Sequence, residues 1–295
     1  MSKKPMKYYV VDAFTELPFK GNPAAVCLLD EEEEVKGDDW LQSLAAEFNI
    51  PVTCYLIPIH GTSKSNPHFR LRWFTSIVEV DICAHATLAA SHALFSYGLV
   101  NNNATIEFVT NSGNLTAKKI SVRTNGEASK DAAFYVELNF PVDPITKFKF
   151  DDTLVISKAL KGASIVDIMR TQIQDDILVV VTSGENVTEI EPLFDEIVKL
   201  QGRKISVSGI APPDSEFDFY HRLFAPKLGV NEDPVCGSIH CSLATYWSKK
   251  LGKTDLKSYQ TSVRGGAVHV CIDEQNKRVF LRGKAVIVME GCVLV

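Results

Sequence analysis

The sequence contains two similar stretches separated by about half its length, and this internal repeat constrains the fold more than any other feature. The first stretch reads Arg72-Trp73-Phe74-Thr75 and then Ile82-Cys83-Ala84-His85-Ala86, and the second reads Arg222-Leu223-Phe224-Ala225 and then Val235-Cys236-Gly237-Ser238-Ile239. A repeat at this offset indicates a duplicated domain, not a short tandem array. We therefore expect two similar halves, each with one cysteine at the same place.

Each of these cysteines precedes an apolar run that suits a buried helix: Thr87-Leu88-Ala89-Ala90 in the first half and Cys241-Ser242-Leu243-Ala244 in the second. The start of a helix has unpaired N–H groups and the positive end of the helix dipole. Both features favour a thiolate and lower the pKa of a cysteine from about 8.5 towards neutrality. The sequence therefore predicts two reactive thiols, one at the start of a helix in each half.

The same N–H groups can bind a carboxylate, so this arrangement predicts a way to hold a substrate. The donors that we expect to bind the carboxylate are those around Ala84, His85, Gly237 and Ser238. A substrate held there would present the two faces of its α-carbon to Cys83 and Cys236. One thiolate could then remove the α-proton while the other thiol delivers a proton to the opposite face. This is racemase or epimerase chemistry without an organic cofactor.

Composition and charge exclude several classes of protein. The 295 residues are 45% hydrophobic and carry a net charge of −5, as expected of a globular protein without a nucleic-acid partner. The segment Met1-Ser2-Lys3-Lys4-Pro5 lacks the apolar region of a signal peptide, and no apolar run approaches the length of a membrane span. We therefore predict a cytoplasmic protein that does not bind a membrane.

The cysteine pattern favours reduced thiols. The seven cysteines are odd in number and scattered along the chain, which argues against a disulfide framework. No CxxC pair occurs, so we expect no metal site.

Strand signals dominate the sequence and helical signals interrupt them. We predict strands over residues 8–14, 25–29, 54–57, 105–110, 134–140, 177–182 and 217–224. Helices are predicted over residues 40–48, 190–200 and 236–248. The connections are predicted to be a turn at residues 21–23, a solvated acidic loop from Asp30 to Glu34, and linkers at residues 111–116 and near Lys284.

Four motifs, in this order along the chain, resemble those of the PhzF family of phenazine biosynthesis. They are Asp12-Ala13-Phe14, Gly21-Asn22-Pro23-Ala24-Ala25-Val26, Asp81-Ile82-Cys83-Ala84-His85-Ala86-Thr87-Leu88-Ala89 and Glu232-Asp233-Pro234-Val235-Cys236-Gly237-Ser238. The resemblance covers essentially the whole chain. It implies an α+β fold like that of diaminopimelate epimerase, in which two pseudo-symmetric halves each wrap a curved sheet or barrel around a central helix, with the active site in the cleft.

The resemblance also implies a division of the chain and an oligomeric state. The first half would comprise residues 1–115 and be completed by a C-terminal strand over residues 284–295, and the second would comprise residues 116–283. A homodimer is expected by analogy with the family.

Two positions depart from the family pattern. PhzF-type isomerases carry a catalytic glutamate in a motif resembling Asn-Leu-Ser-Glu-Thr, whereas this chain has Asn49-Ile50-Pro51-Val52-Thr53. Valine cannot transfer a proton, so the usual PhzF mechanism is not expected. Many relatives have threonine where this chain has Cys236. Both Cys83 and Cys236 fall where the epimerase relatives carry their thiol acid and base.

Three polar residues near these motifs are further candidates for the site. His85 could bind substrate or cap the helix, and Asp233 could belong to a helix cap or contact a substrate ammonium group. Asn22 could form a turn or contact substrate.

We therefore predict a cofactor-independent racemase or epimerase that acts on a free amino acid. Because Val52 makes one pocket wall apolar, we expect a neutral aliphatic substrate in preference to an acidic or dibasic one. One alternative is a PhzF-like isomerase of another small carboxylate metabolite, with His85 or Asp233 in place of the missing glutamate. Another alternative is a scaffold that has lost catalysis and binds a metabolite or a partner.

Overall fold

The computed structural model describes residues 5–29, 37–121, 134–148 and 153–294. The chain forms two compact units, one made of Met1–Asn139 and Arg282–Val295 and the other of Phe140–Leu281. The acidic loop predicted from Asp30 to Glu34 lies outside the described residues. None of the helices in the described ranges has the length and apolar character that a bilayer span requires.

The first unit is built mainly of strands, with two helices between them. Its elements are β1 (Met6–Ala13), β2 (Asn22–Leu28), α1 (Asp38–Phe48), β3 (Val52–Pro58), β4 (His68–Phe74), β5 (Glu79–Val80), α2 (Ala84–Ser96), β6 (Thr105–Thr110), β7 (Gly113–Ser121), β8 (Phe134–Pro141) and, from the end of the chain, β18 (Ala285–Val293). The chain enters the second unit within β8.

The second unit has the same character. Its elements are β9 (Ile145–Lys147), α3 (Thr153–Ala159), β10 (Ile165–Thr171), β11 (Ile177–Val181), α4 (Gly184–Glu189), α5 (Phe194–Ile197), β12 (Ile205–Ile210), β13 (Phe219–Ala225), β14 (Val230–Glu232), α6 (His240–Leu251), β15 (Asp255–Gln260), β16 (Gly266–Asp273) and β17 (Arg278–Gly283). The chain returns to the first unit within β17.

Strand pairing follows the same order in both units. In the first, β2 is parallel to β3, β3 is antiparallel to β4, and β4 pairs antiparallel with β5 and parallel with β6. In the second, the strands β11, β12, β13, β14 and β15 repeat this pattern of directions. The hairpins β6–β7 and β15–β16 are both antiparallel. The predicted duplication and the predicted α+β class are therefore confirmed.

Helix α2 forms the centre of the first unit. Every residue from Ala84 to Phe95 is buried, and the helix packs against β1, β2, β3, β7 and β18. Its many alanines allow the strands to approach closely. The hydroxyls of Thr87 and Ser91 donate to the carbonyls of Cys83 and Thr87 at 2.6 and 2.7 Å, so these two buried hydroxyls are satisfied. In the second unit, α6 packs against β15 and β16.

A repeated ion pair marks the equivalent positions in the two units. Arg72 binds Glu79 through two hydrogen bonds of 2.8 and 2.7 Å, and Arg222 binds Glu232 through two of 2.7 and 2.9 Å. Each guanidinium also lies over the phenylalanine two residues further along, at 5.0 Å from the ring of Phe74 and 5.1 Å from that of Phe224. The similarity seen between the two sequence stretches therefore corresponds to the same local structure.

Three predicted features are corrected by the structure. Residues 190–200 do not form one helix, because Pro192 disfavours helical backbone at the residue before it. Helix α4 ends at Glu189, before this segment, and only the short helix α5 lies within it. Residues 111–116 are not a linker but the turn and first strand residues of the β6–β7 hairpin. The boundary predicted at residue 115 therefore falls inside β7, and the units divide after Asn139.

The predicted turn at residues 21–23 is also shorter than expected, since Asn22 and Pro23 already belong to β2. Gly21 alone has the left-handed backbone, with φ of +63°, and a Cβ atom there would lie 2.1 Å from the carbonyl oxygen of Ala13. Glycine is therefore required at this point, and it places Asn22 at the first position of the strand.

Candidate active site

The predicted site residues fall into two groups, one in each unit. The first group, which we call the first half-site, consists of Asn22, Val52, Cys83, Ala84 and His85. The second half-site consists of Asp233, Cys236, Gly237 and Ser238. All seven cysteines of the chain are free thiols.

In the first half-site, Cys83 is the N-cap residue of α2, with φ of −150° and ψ of 106°. Its carbonyl accepts the N–H of Thr87 at 3.2 Å, which is the first hydrogen bond of the helix. The prediction that this cysteine lies at a helix N-terminus is therefore confirmed. The N–H groups of Ala84 and His85 donate to no other residue in the described part of the chain, as is usual in the first turn of a helix.

His85 lies next to the Cys83 thiol. Its Nδ1 is 3.3 Å from the sulfur, and the residue is buried. Burial lowers the pKa of His85 to about 3, so the imidazole is neutral near pH 7. Its Nε2 is buried without a hydrogen-bond partner among the described residues. A neutral histidine with this pKa is a weak base, which limits its use as a replacement for the family glutamate.

Val52 and Asn22 lie on neighbouring strands of the same unit. Val52 is the first residue of β3 and pairs with Ala24 on β2, whose first residue is Asn22. Both side chains are buried, and Val52 is 5% exposed. Val52 is therefore a buried apolar side chain, and a carboxylate at this position would also be buried.

In the second half-site, the helix begins later than predicted. Cys236 is followed by a turn in which the N–H groups of His240 and Cys241 donate to the carbonyls of Gly237 and Ser238 at 3.1 and 3.0 Å. Helix α6 begins only at His240, so Cys236 lies before the turn and not at the cap of the helix. The N–H groups of Gly237 and Ser238 donate to no residue within the described ranges.

The pKa expected for Cys236 is wrong in direction. The pKa of this thiol is raised to about 11, because burial and the nearby Asp233 carboxylate outweigh the opposing effects of Lys204, the Ser238 hydroxyl and the Ile239 N–H. The sulfur lies 3.5 Å from the Ser238 hydroxyl oxygen. Sequence reasoning counted the favourable helix end but not the cost of removing a thiolate from water. Cys236 with this pKa is therefore a protonated thiol near pH 7.

One support is common to both half-sites. The Ser112 hydroxyl donates to the carbonyl of Asp81 at 2.7 Å, and the Ser262 hydroxyl donates to the carbonyl of Pro234 at 2.5 Å. In each unit the serine belongs to the hairpin that follows the cysteine helix, and the carbonyl is two residues before the cysteine. Sequence reasoning missed both serines, because a turn serine has no distinguishing sequence pattern until its tertiary partner is known.

Further residues of the second unit were also missed. Lys204 and Asp176 form an ion pair of 3.0 Å, and their side chains are 12% and 2% exposed. Gln260 contacts the backbone at both ends of the segment that leads to Cys236.

The described residues contain no group of three or more His, Cys, Asp and Glu side chains placed to bind a metal ion.

The duplicated α+β fold agrees with the one that the motif resemblance implied. The sequence matches the phenazine biosynthesis-like protein family, PhzC-PhzF, over residues 11–291. It is 37% identical over 286 residues to an uncharacterized isomerase of Halalkalibacterium halodurans, covering 97% of each chain. It is 35% identical over 296 residues to the human phenazine biosynthesis-like domain-containing protein, covering 96% of this chain and 97% of the relative. The chain therefore belongs to the PhzC-PhzF family.

Solved structures give the same fold. The crystal structure of a PhzF family phenazine biosynthesis protein from Enterococcus faecalis has a TM-score of 0.82 at 33% identity, covering 99% of this chain and 100% of that chain. A probable proline racemase from Agrobacterium radiobacter, with bound carbonate, has a TM-score of 0.60 at 12% identity and covers 98% of this chain and 92% of that chain. The second likeness concerns the fold alone.

Proposed function

We propose that the protein is a cofactor-independent isomerase that inverts the α-carbon of a free amino acid by acid–base catalysis between Cys83 and Cys236. The observation that carries this proposal is the repeated half-site. Each unit has a buried free thiol followed by two N–H groups without an acceptor among the described residues, and the same serine-to-carbonyl support. Inversion requires two groups that exchange protons with opposite faces of one carbon, and a duplicated fold supplies two such groups.

The roles of the two thiols follow from their protonation. A two-base mechanism requires one thiolate and one thiol at the start of each turnover. Burial holds Cys236 as the thiol, with its pKa raised to about 11, so we assign it the acid role when the substrate first binds. Cys83 is then the base that removes the α-proton. The N–H groups of Ala84, His85, Gly237 and Ser238 bind the carboxylate, whose negative charge matches these unpaired donors.

The substrate class is inferred from the residue that replaces the family glutamate. Val52 is buried, and each buried methylene of a ligand is worth about 0.8 kcal/mol against such a wall, whereas an unpaired charge costs several times more. We therefore propose a neutral aliphatic amino acid such as leucine, isoleucine or valine. Asn22 and Asp233 are proposed to contact the substrate, with the Asp233 carboxylate facing its ammonium group.

The reduced thiols suit a cytoplasmic enzyme, and a homodimer remains a prediction from the family.

Family membership favours a second candidate, a PhzF-like isomerase that acts on another small carboxylate metabolite. It would need a base other than the missing glutamate, such as Asp233, because the lowered pKa of His85 makes that imidazole a weak base. A scaffold without catalysis would retain ligand binding and show no exchange of substrate protons.

One experiment separates these candidates. The protein is incubated with single L- and D-amino acids in deuterated water, and the products are analysed by NMR for α-deuteration and by chiral chromatography for inversion. We expect deuteration with inversion for aliphatic amino acids. Deuteration at another position of a different carboxylate would favour the PhzF-like isomerase, and the absence of both reactions across the panel would contradict the proposed function.

A further inference from the structure

Gln260, the last residue of β15, has a fully buried side chain that contacts both ends of the segment before the second thiol. Its Nε2 donates to the carbonyl of Asp233, and its Oε1 accepts the N–H of Cys236 at 2.8 Å. A backbone carbonyl can only accept and a backbone N–H can only donate, so these partners fix the orientation of the amide. Both ends of a buried amide are thus used on one short segment.

The strand that carries Gln260 is itself firmly held. Gln260 pairs with His221 on β13 and with Gly266 on β16, and the next N–H, that of Thr261, donates to the carbonyl of His221 at 3.0 Å. The amide therefore acts from a paired strand and not from a free loop. A group on a regular element holds its neighbours more accurately than one on a loop.

The corresponding strand end of the first unit carries a different residue, which makes a different contact. Thr110 is the last residue of β6, as Gln260 is of β15, and its hydroxyl donates to Gly113 within its own hairpin. Cys83 needs no such support, because it is itself the cap of α2. Cys236 lies before a turn, and its helix begins only at His240. Cys236 therefore does not occupy a helix cap as Cys83 does, and a side chain from a neighbouring strand binds its backbone.

The contact also determines which N–H groups remain for a ligand. The Cys236 N–H is taken by Gln260, and the Gly237 carbonyl accepts from Nδ1 of His240 at 3.1 Å. The N–H groups of Gly237 and Ser238 are left without an acceptor in the described part of the chain. Gln260 thus holds the peptide group that precedes Cys236, and His240 holds the peptide group between Gly237 and Ser238.

We propose that Gln260 is the positioning residue for Cys236, which it fixes by binding the Asp233 carbonyl and the Cys236 N–H at the same time. The inference rests on the proposed function, in which Cys236 is the acid and the next two N–H groups bind the substrate carboxylate. A reacting group that is misplaced by a small distance loses a large part of its rate. Loss of Gln260 should therefore reduce turnover more than it weakens substrate binding.

The test uses two variants and does not require turnover for its first readout. Gln260→Met removes both hydrogen bonds at similar volume. Gln260→Glu keeps both while its carboxyl group is protonated, and loses the bond to the Asp233 carbonyl when it ionises. Gln201→Met, at an exposed glutamine, is the matched control. Alkylation by iodoacetamide is followed from pH 6 to 10 by peptide mass spectrometry at each cysteine.

We expect alkylation of Cys236 in Gln260→Met to be faster than in the wild type by about tenfold, because the segment is no longer fixed. The rate at Cys83 in the other unit should not change. The buried Cys54 and Cys241 report unfolding and should stay protected. Equal acceleration at all four cysteines would show a general structural role and would overturn the proposal, as would an unchanged rate at Cys236.

Gln260→Glu provides the second arm, which depends on pH. The groups that already act on the Cys236 thiol are Asp233, Lys204, Ser238 and Ile239, with Asp176 paired to Lys204 and Cys241 influenced by both Cys236 and Lys204. When it ionises, the carboxyl group introduced by Gln260→Glu adds a negative charge, so the rise of Cys236 alkylation should move to higher pH. If the rate of Cys236 alkylation rises at the same pH in Gln260→Glu as in the wild type, the proposal that Gln260 contacts and positions Cys236 is overturned.

Turnover gives the last readout. We expect kcat for inversion to fall at least about tenfold in Gln260→Met, with KM within about threefold of the wild type. In Gln260→Glu, activity relative to the wild type should be highest at acidic pH and decline as the carboxyl group ionises. Wild-type kcat in Gln260→Met would overturn the proposal. If the wild type turns over no amino acid, the proposed function fails, and the alkylation results alone decide the role of Gln260.

Discussion

In the first unit, Cys83 caps a helix that is buried from Ala84 to Phe95, and it has a neutral histidine beside it. In the second unit, Cys236 precedes its helix by a turn, has a buried lysine and a carboxylate among its charged neighbours, and is held by Gln260. The two units share strand order, the arginine–glutamate pair and the serine support. Duplication has therefore preserved the framework around each thiol while the electrostatic surroundings have diverged.

This difference suits two groups that must start a reaction in opposite protonation states. Two identical environments would favour the same protonation state in both thiols. Only the repulsion between two thiolates would then separate the loss of the first proton from the loss of the second. In the proposed mechanism, the different surroundings assign the two states before the substrate binds. If the two half-sites act on one substrate, changes to either should affect the same reaction in different ways.

The largest effect is expected from removing either thiol. Cys83→Ser and Cys236→Ser should each reduce inversion by several orders of magnitude, because a hydroxyl is far less acidic than a thiol. One variant should still exchange the α-proton of one enantiomer through the surviving thiol. Chiral chromatography and NMR in deuterated water measure the two reactions separately. The control is Cys292→Ser, at an exposed cysteine, which should keep wild-type inversion. Unchanged inversion in either site variant would eliminate the two-thiol assignment.

A large effect on specificity is expected at Val52, which only the first half-site has. Val52→Glu should reduce kcat/KM for aliphatic amino acids by more than about 10²-fold, because a buried carboxylate at this position disfavours binding of an apolar substrate side chain. Val52→Gln has the same size without the charge and should lose less. A substrate panel assayed with both variants measures the difference. Faster turnover of aspartate, glutamate or diaminopimelate than of leucine by the wild type would refute the inference from Val52.

A smaller effect separates the carboxylate anchor from the thiols. Amides and esters of the substrate should have kcat/KM lower by about 10²-fold, because hydrogen bonds from N–H groups to a charged acceptor are stronger than those to a neutral one. The comparison uses leucine, leucine amide and leucine methyl ester under identical conditions. Efficient turnover of the amide would show that the N–H groups near Ala84 and Gly237 do not bind the carboxylate.

The smallest effect concerns stability and applies to both units. Burial lowers the pKa of His92 in the first unit and of His240 in the second to about 4. The unfolded state, with pKa near 6.5, binds more protons below that pH, so the stabilisation present above pH 6.5 is lost as the pH falls towards 4. Each histidine should contribute a slope of at most about 1.4 kcal/mol per pH unit.

Urea unfolding at pH 7, 6 and 5 measures this slope. His92→Phe should reduce it by the contribution of one histidine, and the exposed His60→Phe is the control for the loss of a histidine. The same slope in His92→Phe and the wild type would show that His92 is protonated equally in the folded and unfolded states.

Local sequence patterns predicted much of the fold. The alternating and continuous apolar runs located β1, β3, β6, β8, β11 and β13 within a few residues, and Cys83 at a helix start followed from the apolar run after it. The repeated Arg-x-Phe stretches indicated the duplication. In the structure, both arginines bind equivalent glutamates. These features depend on residues that are close together in the sequence, so one sequence is enough to predict them.

The features that sequence reasoning missed depend on contacts between distant residues. Gln260 contacts Cys236 from the end of a strand that pairs with β13, and neither its composition nor its spacing indicates this role. The helix predicted from Cys236 begins at His240 because a turn intervenes. The raised pKa of Cys236 follows from burial, which no motif reports. Local pattern identified the thiols, but their environments required the tertiary structure.

The most direct test of the central claim follows the label during the first few per cent of turnover in deuterated water. With two thiols, the proton removed by one is not the one delivered by the other, so the inverted product should carry deuterium while the remaining substrate stays unlabelled. The experiment is run from the L-enantiomer and from the D-enantiomer and read by NMR and mass spectrometry. We predict this result in both directions. Equal labelling of substrate and product at early times would show that a single base serves both faces, and would contradict the account.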